Sequence, residues 1–315
     1  MTQAFSHSPA LPATHPLMLQ DSDKSTAESD LIKGYRGERG SRRPVWFMRQ
    51  AGRSLPEYRK LREGTTMLES CLIPEMASEI TLQPVRRHDV DAAIFFSDIV
   101  IPLKLAGIGV EIQPGVGPVL DAPIRTAEDI AKLPELTDDM FEPITEAVKL
   151  TVAELGARPL IGFAGAPYTV AAYMVEGRPS RDHLGPRTMM HNDPEAWGRL
   201  MAWTAEASGR FLRAQIMAGA SAAQLFDSWA GSLSRANYEH KVKPYSEQAI
   251  THVSDLMGEG GIPLVHFGTG TAEILDLMRD AGASVVGVDY RLQLDEANRR
   301  LGNTPGPDGR TNVPL

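Results

Sequence analysis

The sequence predicts an α/β fold built from repeated strand-then-helix units, and within that class a (β/α)8 TIM-type barrel. Six short, almost continuously apolar runs alternate with longer helical patterns along the 315 residues. Uninterrupted apolar runs are typical of strands covered on both faces, as in a parallel sheet. A doubly wound dinucleotide-binding sheet would need a Gly-x-Gly-x-x-Gly turn after an early strand. None of the strand ends offers one, and the two glycines Gly268 and Gly270 are the nearest approach.

The six apolar runs give the predicted strands in chain order. They cover residues 45–48, 92–97, 160–164, 222–227, 263–267 and 284–288. Helical patterns are predicted at about 56–63, 74–87, 193–218, 236–258 and 271–281. The first two helices begin with Pro56 and Pro74, which the first turn of a helix accepts. This alternation is what a barrel of parallel strands and outer helices requires.

The first 33 residues are predicted to form a disordered tail, followed by one domain from 34 to 315. Residues 1–30 are polar, rich in proline and serine, and without a periodic apolar pattern. They contain no apolar stretch typical of a secretory signal. Their acidic residues and lack of arginine argue against an organelle transit peptide.

Composition and charge indicate a soluble protein that handles a small molecule. The chain is 42% hydrophobic and 23% charged, which allows a substantial core. Its net charge of −8 argues against a nucleic-acid partner, and no apolar run approaches the roughly 20 residues that span a bilayer. The single cysteine, Cys71, can form neither an internal disulfide nor a multi-thiolate metal site. We therefore expect a reducing, cytoplasmic compartment.

Arginines are concentrated in one segment near the start of the predicted domain. Eight fall within it: Arg36, Arg39, Arg42, Arg43, Arg49, Arg53, Arg59 and Arg62. Arg49 and Arg53 are four residues apart, so they would share one face of a helical turn. Guanidinium groups bind carboxylates in a planar, bidentate geometry. A solvated basic face is the alternative, but the apolar residues 46–48 indicate that part of the segment is buried. The cluster therefore predicts a polycarboxylate or phosphate ligand.

Polar residues lie at the ends of five predicted strands. They are Arg49, Asp98, Ser228, His266 and Asp289. The carboxyl ends of barrel strands form the rim that carries the active site. Any one of these residues could instead be a helix cap or a buried, hydrogen-bonded group. Five together indicate a common site.

Two long segments resemble the signatures of one enzyme family. Residues 46–59, Trp-Phe-Met-Arg-Gln-Ala-Gly-Arg-Ser-Leu-Pro-Glu-Tyr-Arg, are similar to the N-terminal signature of the uroporphyrinogen decarboxylases. Residues 162–168, Gly-Phe-Ala-Gly-Ala-Pro-Tyr, are similar to the second signature. Shorter matches follow at 96–99, 172–177 and 224–228, so the resemblance runs from about Gly34 to about Gly302.

The resemblance implies a cytoplasmic homodimer of the haem pathway that uses neither a metal nor an organic cofactor. Such an enzyme removes the four acetate carboxylates of uroporphyrinogen as CO₂ and gives coproporphyrinogen. Two other classes remain open: a non-catalytic chain that keeps an arginine-rich porphyrinogen pocket, and a zinc-dependent methyltransferase of the methylcobalamin:coenzyme M kind. The second relies on His and Cys ligands, and Cys71 is not set in a His-x-Cys pattern.

The resemblance also assigns the site residues. Asp98 matches the central carboxylate that binds the pyrrole N–H groups, and Arg49 is the second catalytic candidate. The proton donor stays open between Arg49, Asp98 and water. The remaining substrate-binding positions are Gln50, Ala51, Gly52, Arg53, Arg62, Phe163, Tyr173, Phe226 and Ser228.

The family's barrel continues beyond the sixth predicted strand. A seventh strand leads there to an Asn-Leu-Asp turn, and an eighth ends in Asn-Leu-Gly-His-Gly. Neither segment occurs before Leu315. The expected fold is therefore a barrel that lacks its last two β/α units, with two unpaired apolar edges.

Overall fold

The computed structural model describes residues 8–302, and a parallel sheet forms the centre of this part of the chain. The strands are β1 (Ala93–Ile94), β2 (Val110–Gln113), β3 (Gly117–Leu120), β4 (Leu160–Gly165), β5 (Ala222–Asp227), β6 (Leu264–Gly268) and β7 (Val285–Gly287). Five of them lie in the order β1-β4-β5-β6-β7, and every neighbouring pair is parallel. Their carboxyl ends therefore meet at one edge. The antiparallel pair β2–β3 forms a separate hairpin.

Helices surround this sheet and connect its strands. In the described part of the chain they are α1 (Asp30–Tyr35), α2 (Pro56–Leu61), α3 (Met67–Leu72), α4 (Pro74–His88), α5 (Ile101–Leu105), α6 (Ala127–Ile130), α7 (Glu142–Leu155), α8 (Pro167–Glu176), α9 (Leu184–Asn192), α10 (Pro194–Met217), α11 (Arg235–Lys241), α12 (Lys243–Thr251), α13 (Leu275–Asp280) and α14 (Leu294–Arg300). None of these helices is long and apolar enough to cross a membrane.

The ends of the helices follow from local side chains. Pro56 and Pro74 occupy the first turns of α2 and α4, as the sequence predicted. Thr66 begins α3 with a reciprocal capping box, in which its side chain accepts from the Glu69 N–H and Glu69 accepts from the Thr66 N–H. Asp193 begins α10 by accepting from the Ala196 N–H.

The core lies on both faces of the sheet. All six residues of β4 and all six of β5 are buried, as the near-continuous apolar runs predicted. Gln215 of α10 is buried in this layer and bonds both backbone groups of Phe163, at 2.9 Å and 2.8 Å. This pairing satisfies polar groups that would otherwise be costly to bury and fixes α10 against β4.

Two predicted elements differ from the structure. Residues 45–48 are not a strand: residues 45–47 have no regular secondary structure, and Met48 lies in a turn. The backbone of Val45 bonds Asp91, and Val45 and Phe47 are about half exposed. The described sheet therefore has five strands rather than six. The helix predicted at 236–258 is divided into α11 and α12 because Pro244 lacks the N–H that a continuous helix needs.

The predicted disordered tail is wrong for residues 8–33, which pack against the domain. The ring of His15 contacts the Ala220 carbonyl oxygen at 3.2 Å and accepts from the Leu17 N–H at 3.2 Å. Thr26 donates to the Ser221 hydroxyl at 2.8 Å, and Ile32 is fully buried. A few individual contacts hold this segment against the domain. Because these residues do not recur at a helical or strand period, the sequence pattern did not reveal them. Residues 1–7 of the predicted tail and 303–315 of the predicted domain lie outside the described residues.

Candidate active site

A cavity of about 300 Å³ opens at the carboxyl ends of β1, β4 and β5. The segment that follows β1, helix α8, strand β5 and one residue of the β2–β3 hairpin contribute to its lining. It is lined by Met48, Arg49, Ala51, Met67, Ile94, Phe95, Phe96, Ser97, Asp98, Ile99, Pro118, Phe163, Tyr173, Phe226 and Ser228. Such a mostly apolar recess with a few convergent polar groups is typical of small-molecule sites.

Asp98 supplies the carboxylate of the cavity. Its Oδ1 accepts a hydrogen bond from the Val100 N–H at 3.1 Å, which fixes the side chain in the loop between β1 and α5. Burial raises the pKa of Asp98 above its usual value, while the Val100 N–H and the positive charge of Arg49 act in the opposite direction. Because Asp98 lines an open recess, a bound ligand would reach this carboxylate directly.

Arg49 and Arg53 carry guanidinium groups whose donors are unused. Both side chains are exposed, and neither forms a hydrogen bond or ion pair with another residue in the 8–302 range. Arg49 lines the cavity beside Asp98, whereas Arg53 lies outside the lining. Five unused N–H donors on each group are available to an anion.

Gln50 and Gly52 shape the loop that carries these arginines. The Gln50 side chain is buried; it accepts from the Phe47 N–H and donates to the Ala92 carbonyl, both at 3.1 Å. Gly52 has a φ of +148°, a conformation that side-chain-bearing residues rarely adopt. Neither residue lines the cavity. The structure shows both in the backbone of the loop, and their contact with substrate stays a prediction.

Arg62, another predicted pocket residue, is committed to the fold instead. It donates to the Tyr58 hydroxyl at 2.6 Å, the Ser70 hydroxyl at 3.0 Å and the Thr65 carbonyl at 3.2 Å. Its guanidinium also lies over the Tyr58 ring. These contacts join α2 to α3, and Arg62 is absent from the cavity lining.

Aromatic rings form the wall of the cavity. Phe163 and Phe226 meet edge to face, with ring centroids 5.3 Å apart. Tyr173 lies on α8, and its ring stacks on Trp229 at a centroid distance of 4.0 Å. Burial, together with the negative charge of Asp98, raises the pKa of Tyr173 to about 12. The phenol is therefore a neutral hydrogen-bond donor at physiological pH.

Of the five predicted rim residues, three reach the cavity. Arg49, Asp98 and Ser228 line it. His266 is fully buried, with its Nε2 3.4 Å from Asp227 Oδ2, and Asp289 accepts from the Gly270 N–H and pairs with Arg291. Side chains alternate between the two faces of a strand. The position of His266 near a strand end therefore did not show whether its side chain would point towards the cavity or away from it.

Several lining residues were not predicted. Met67 begins α3 and Pro118 lies on β3, and neither follows a strand of the central sheet. Trp229 contacts the wall through its stack on Tyr173. Of these residues, only Trp229 could have been predicted from the sequence, because it directly follows the predicted site residue Ser228. No group of three or more His, Cys, Asp or Glu side chains able to hold a metal ion occurs between residues 8 and 302.

Comparisons with known proteins identify the relatives of this chain. The family model for uroporphyrinogen decarboxylase (URO-D) matches residues 26–306. A protein named uroporphyrinogen decarboxylase from Arthrobacter sp. (strain FB24) is 72% identical over 282 residues, covering 90% of this chain and 81% of the relative. One of the same name from Leifsonia xyli subsp. xyli is 59% identical over 311 residues, covering 93% and 81%.

A solved structure shares the fold at low sequence identity. It is a methyltransferase from Methanosarcina mazei, with a TM-score of 0.71 and 16% identity, covering 88% of this chain and 80% of that one. This likeness concerns the fold alone and confirms the predicted TIM-type α/β class. With the family match and the high identity to the two relatives, it follows that the chain belongs to the uroporphyrinogen decarboxylase family.

Proposed function

We propose that this chain is a carboxy-lyase that removes the four acetate carboxylates of uroporphyrinogen as CO₂, giving coproporphyrinogen. The observation that carries the proposal is the 72% identity to a relative of that name over most of the chain. The cavity supports it because Arg49, which has no hydrogen bond to another residue between 8 and 302, and the Asp98 carboxylate line the same space. These groups suit a ligand with carboxylates at its edge and N–H donors at its centre.

The reaction requires an electron sink in the substrate. Loss of CO₂ from a pyrrole acetate leaves an electron pair on the methylene carbon. A proton added to the adjacent ring carbon turns the pyrrole into an acceptor for that pair. After CO₂ leaves, the methylene carbon is protonated to a methyl group and the ring carbon loses its proton. Each turn therefore exchanges one carboxylate for one proton, and the substrate does the work that an organic cofactor does elsewhere.

Asp98 is assigned to electrostatic stabilisation. A carboxylate held against the pyrrole N–H groups offsets the positive charge that develops when the ring is protonated. The Val100 N–H fixes the carboxylate before substrate binds, so little reorganisation is needed during the reaction. Burial raises the pKa of Asp98, which also keeps it a candidate proton donor beside Arg49 and water.

The remaining residues bind and orient the macrocycle. Arg49 and Arg53, whose guanidinium donors are unused within residues 8–302, bind the carboxylates that are not reacting, and this selects which acetate lies over Asp98. Ala51, Phe163, Tyr173, Phe226 and Ser228 provide an apolar wall with two hydroxyl groups. Gln50, Gly52 and Arg62 act through the loop and helices that they hold.

Incubation of the purified chain with uroporphyrinogen tests the proposal directly. Stoichiometric release of CO₂ with formation of coproporphyrinogen supports it. Binding of uroporphyrinogen without CO₂ release would replace it with the non-catalytic porphyrinogen-binding role.

We further infer that the enzyme is a cytoplasmic homodimer. The family resemblance implies both properties, and exposed apolar residues on the 45–48 segment next to the cavity, namely Val45, Phe47 and Met48, offer a surface for a second copy. Sedimentation equilibrium would reveal a dimer, and cell fractionation would locate the enzyme. A monomer at all concentrations, or recovery with the membrane fraction, would contradict these inferences.

A further inference from the structure

Helix α8 contacts the end of β5 at two points. Thr169, in the first turn of α8, donates to Asp227 Oδ1 at 2.9 Å. The Trp229 N–H donates to the same Thr169 hydroxyl oxygen at 3.3 Å. Tyr173 lies four residues further along α8, on the same face, and its ring stacks on the Trp229 indole. One face of α8 therefore holds both the backbone and the side chain of Trp229.

Buried groups behind this contact keep it in place. Thr169, Asp227 and His266 are essentially inaccessible to solvent. Asp227 Oδ2 lies 3.4 Å from His266 Nε2 of the neighbouring strand, but neither atom forms a hydrogen bond among the described residues. The Thr169 hydroxyl therefore supplies the side-chain hydrogen bond of this buried carboxylate, and losing it would leave Asp227 Oδ1 unsatisfied as well. This cost favours the orientation in which Oδ1 faces Thr169.

The Trp229 indole also contacts a strained residue. His183 has a φ of 47° and a ψ of 45°, a left-handed conformation that is uncommon outside glycine. Its ring is buried, has no hydrogen-bond partner among the described residues, and packs on Trp229 at a centroid distance of 4.2 Å. Strain and unsatisfied polar atoms persist only where the surroundings impose them. The packing of the His183 ring on Trp229 is a close contact that this conformation makes.

We propose that Trp229, anchored by Thr169 and Asp227, is a positioning residue that fixes the Tyr173 ring against the substrate cavity. Trp229 does not line the cavity, so it acts through Tyr173. The inference rests on the proposed function, because it assigns a role within that reaction. It explains why a large, rigid side chain follows the end of β5 at a position outside the cavity lining.

A double-substitution experiment tests the coupling. Trp229→Ala should lower kcat for uroporphyrinogen by about 10-fold while KM changes little, since a misplaced group costs rate more than binding. The same substitution in a Tyr173→Ala background should have almost no further effect, because the group it positions is gone. Equal losses in both backgrounds, or wild-type kcat in Trp229→Ala, would overturn the proposal.

Conservative variants and matched controls separate positioning from folding. Trp229→Phe keeps a flat ring and Thr169→Ser keeps the hydroxyl, so both should retain most activity, whereas Thr169→Val should lose it. Trp203→Ala and Thr151→Val are the matched controls, because they remove an indole ring and a threonine hydroxyl outside the cavity. There the Trp203 side chain donates to the Pro134 carbonyl, and the Thr151 hydroxyl donates to the Ala147 carbonyl. These controls should keep wild-type kcat even where they lower the melting temperature. If the controls lost as much kcat as the Trp229 and Thr169 variants, the effect would be general loss of folding and the proposal would fail.

Near-ultraviolet circular dichroism provides a readout that needs no turnover. Stacked Tyr and Trp rings couple their transitions, so Tyr173→Ala should alter the tryptophan bands and should not alter them in a Trp229→Phe background. An unchanged tryptophan signal in Tyr173→Ala would contradict the stack. If the wild-type chain formed no coproporphyrinogen, the proposed function would fail while this optical test still decided whether Trp229 holds Tyr173.

Discussion

Arg49 and Arg62 come from the same arginine-rich segment but have opposite surroundings. Arg62 uses its donors on Tyr58, Thr65 and Ser70, and so joins two helices. Arg49 has no such partner in the described part of the chain and faces the cavity that holds Asp98. Polar groups that stabilise the fold satisfy one another, whereas groups that await a ligand are held in place and left unsatisfied. The two arginines therefore differ in whether their donors are hydrogen-bonded within the fold, although the residue type is the same.

The largest effect is expected at Asp98, the carboxylate that lines the cavity. Asp98→Asn preserves volume but removes the negative charge, and should lower kcat by on the order of 10²-fold or more, as for other preorganised electrostatic groups. The melting temperature should not fall, because the side-chain oxygen of asparagine can still accept the hydrogen bond from the Val100 N–H. Coproporphyrinogen formation and calorimetry measure the two quantities. Near-normal turnover would remove Asp98 from the mechanism.

His15 is a buried group that belongs to the fold, so its protonation should change the stability of the protein rather than its turnover. Burial lowers the pKa of His15 from 6.5 to about 4, with the Ala220 hydrogen bond opposing it. Between these values the unfolded chain binds a proton that the folded chain excludes. Folding stability should therefore be complete above pH 6.5 and decline as the pH falls towards 4, by about 3 kcal/mol at most.

Urea denaturation at pH 7.5 and pH 5 measures this loss. His15→Asn removes the titrating ring, so the variant should lose less stability over the same interval than the wild-type chain. Equal pH dependence in both proteins would show that His15 is not the group responsible.

Lysine substitutions compare the two arginines themselves. Arg49→Lys should lower kcat/KM by roughly 10-fold at unchanged melting temperature, because an ammonium cannot reproduce the bidentate guanidinium contact. Arg62→Lys should instead lower stability by about 1–3 kcal/mol, since it leaves hydrogen-bonding partners unpaired, with a smaller effect on kcat/KM. If both variants showed the same changes in kcat/KM and in stability, the distinction between Arg49 as a ligand-binding group and Arg62 as a structural group would be wrong.

The sequence predicted β4 and β5 almost to the residue, and it predicted Asp98, Arg49 and Ser228 at the cavity. Burial on both faces leaves a continuous apolar run, and the family signatures cover these positions. It could not distinguish Arg62 from Arg49, because hydrogen-bond partners such as Ser70 are brought close only by the folded chain. Trp229 was missed for the same reason. Its contact with Tyr173 joins residues far apart in sequence and leaves no periodic pattern.

The smallest expected effect is that of a metal chelator. Residues 8–302 contain no group of three or more His, Cys, Asp or Glu side chains placed to hold a metal ion. Burial raises the pKa of the Cys71 thiol well above its usual value, so this side chain stays protonated at neutral pH and is a poor zinc ligand, because the thiolate is the binding form. Moreover, the proposed reaction draws its electron sink from the protonated pyrrole. Coproporphyrinogen formation should therefore proceed at the same rate with and without EDTA. Inhibition that added zinc reversed would instead favour the zinc-dependent methyltransferase class, and it would mean that a metal, rather than Asp98 and Arg49, organises the chemistry in this cavity.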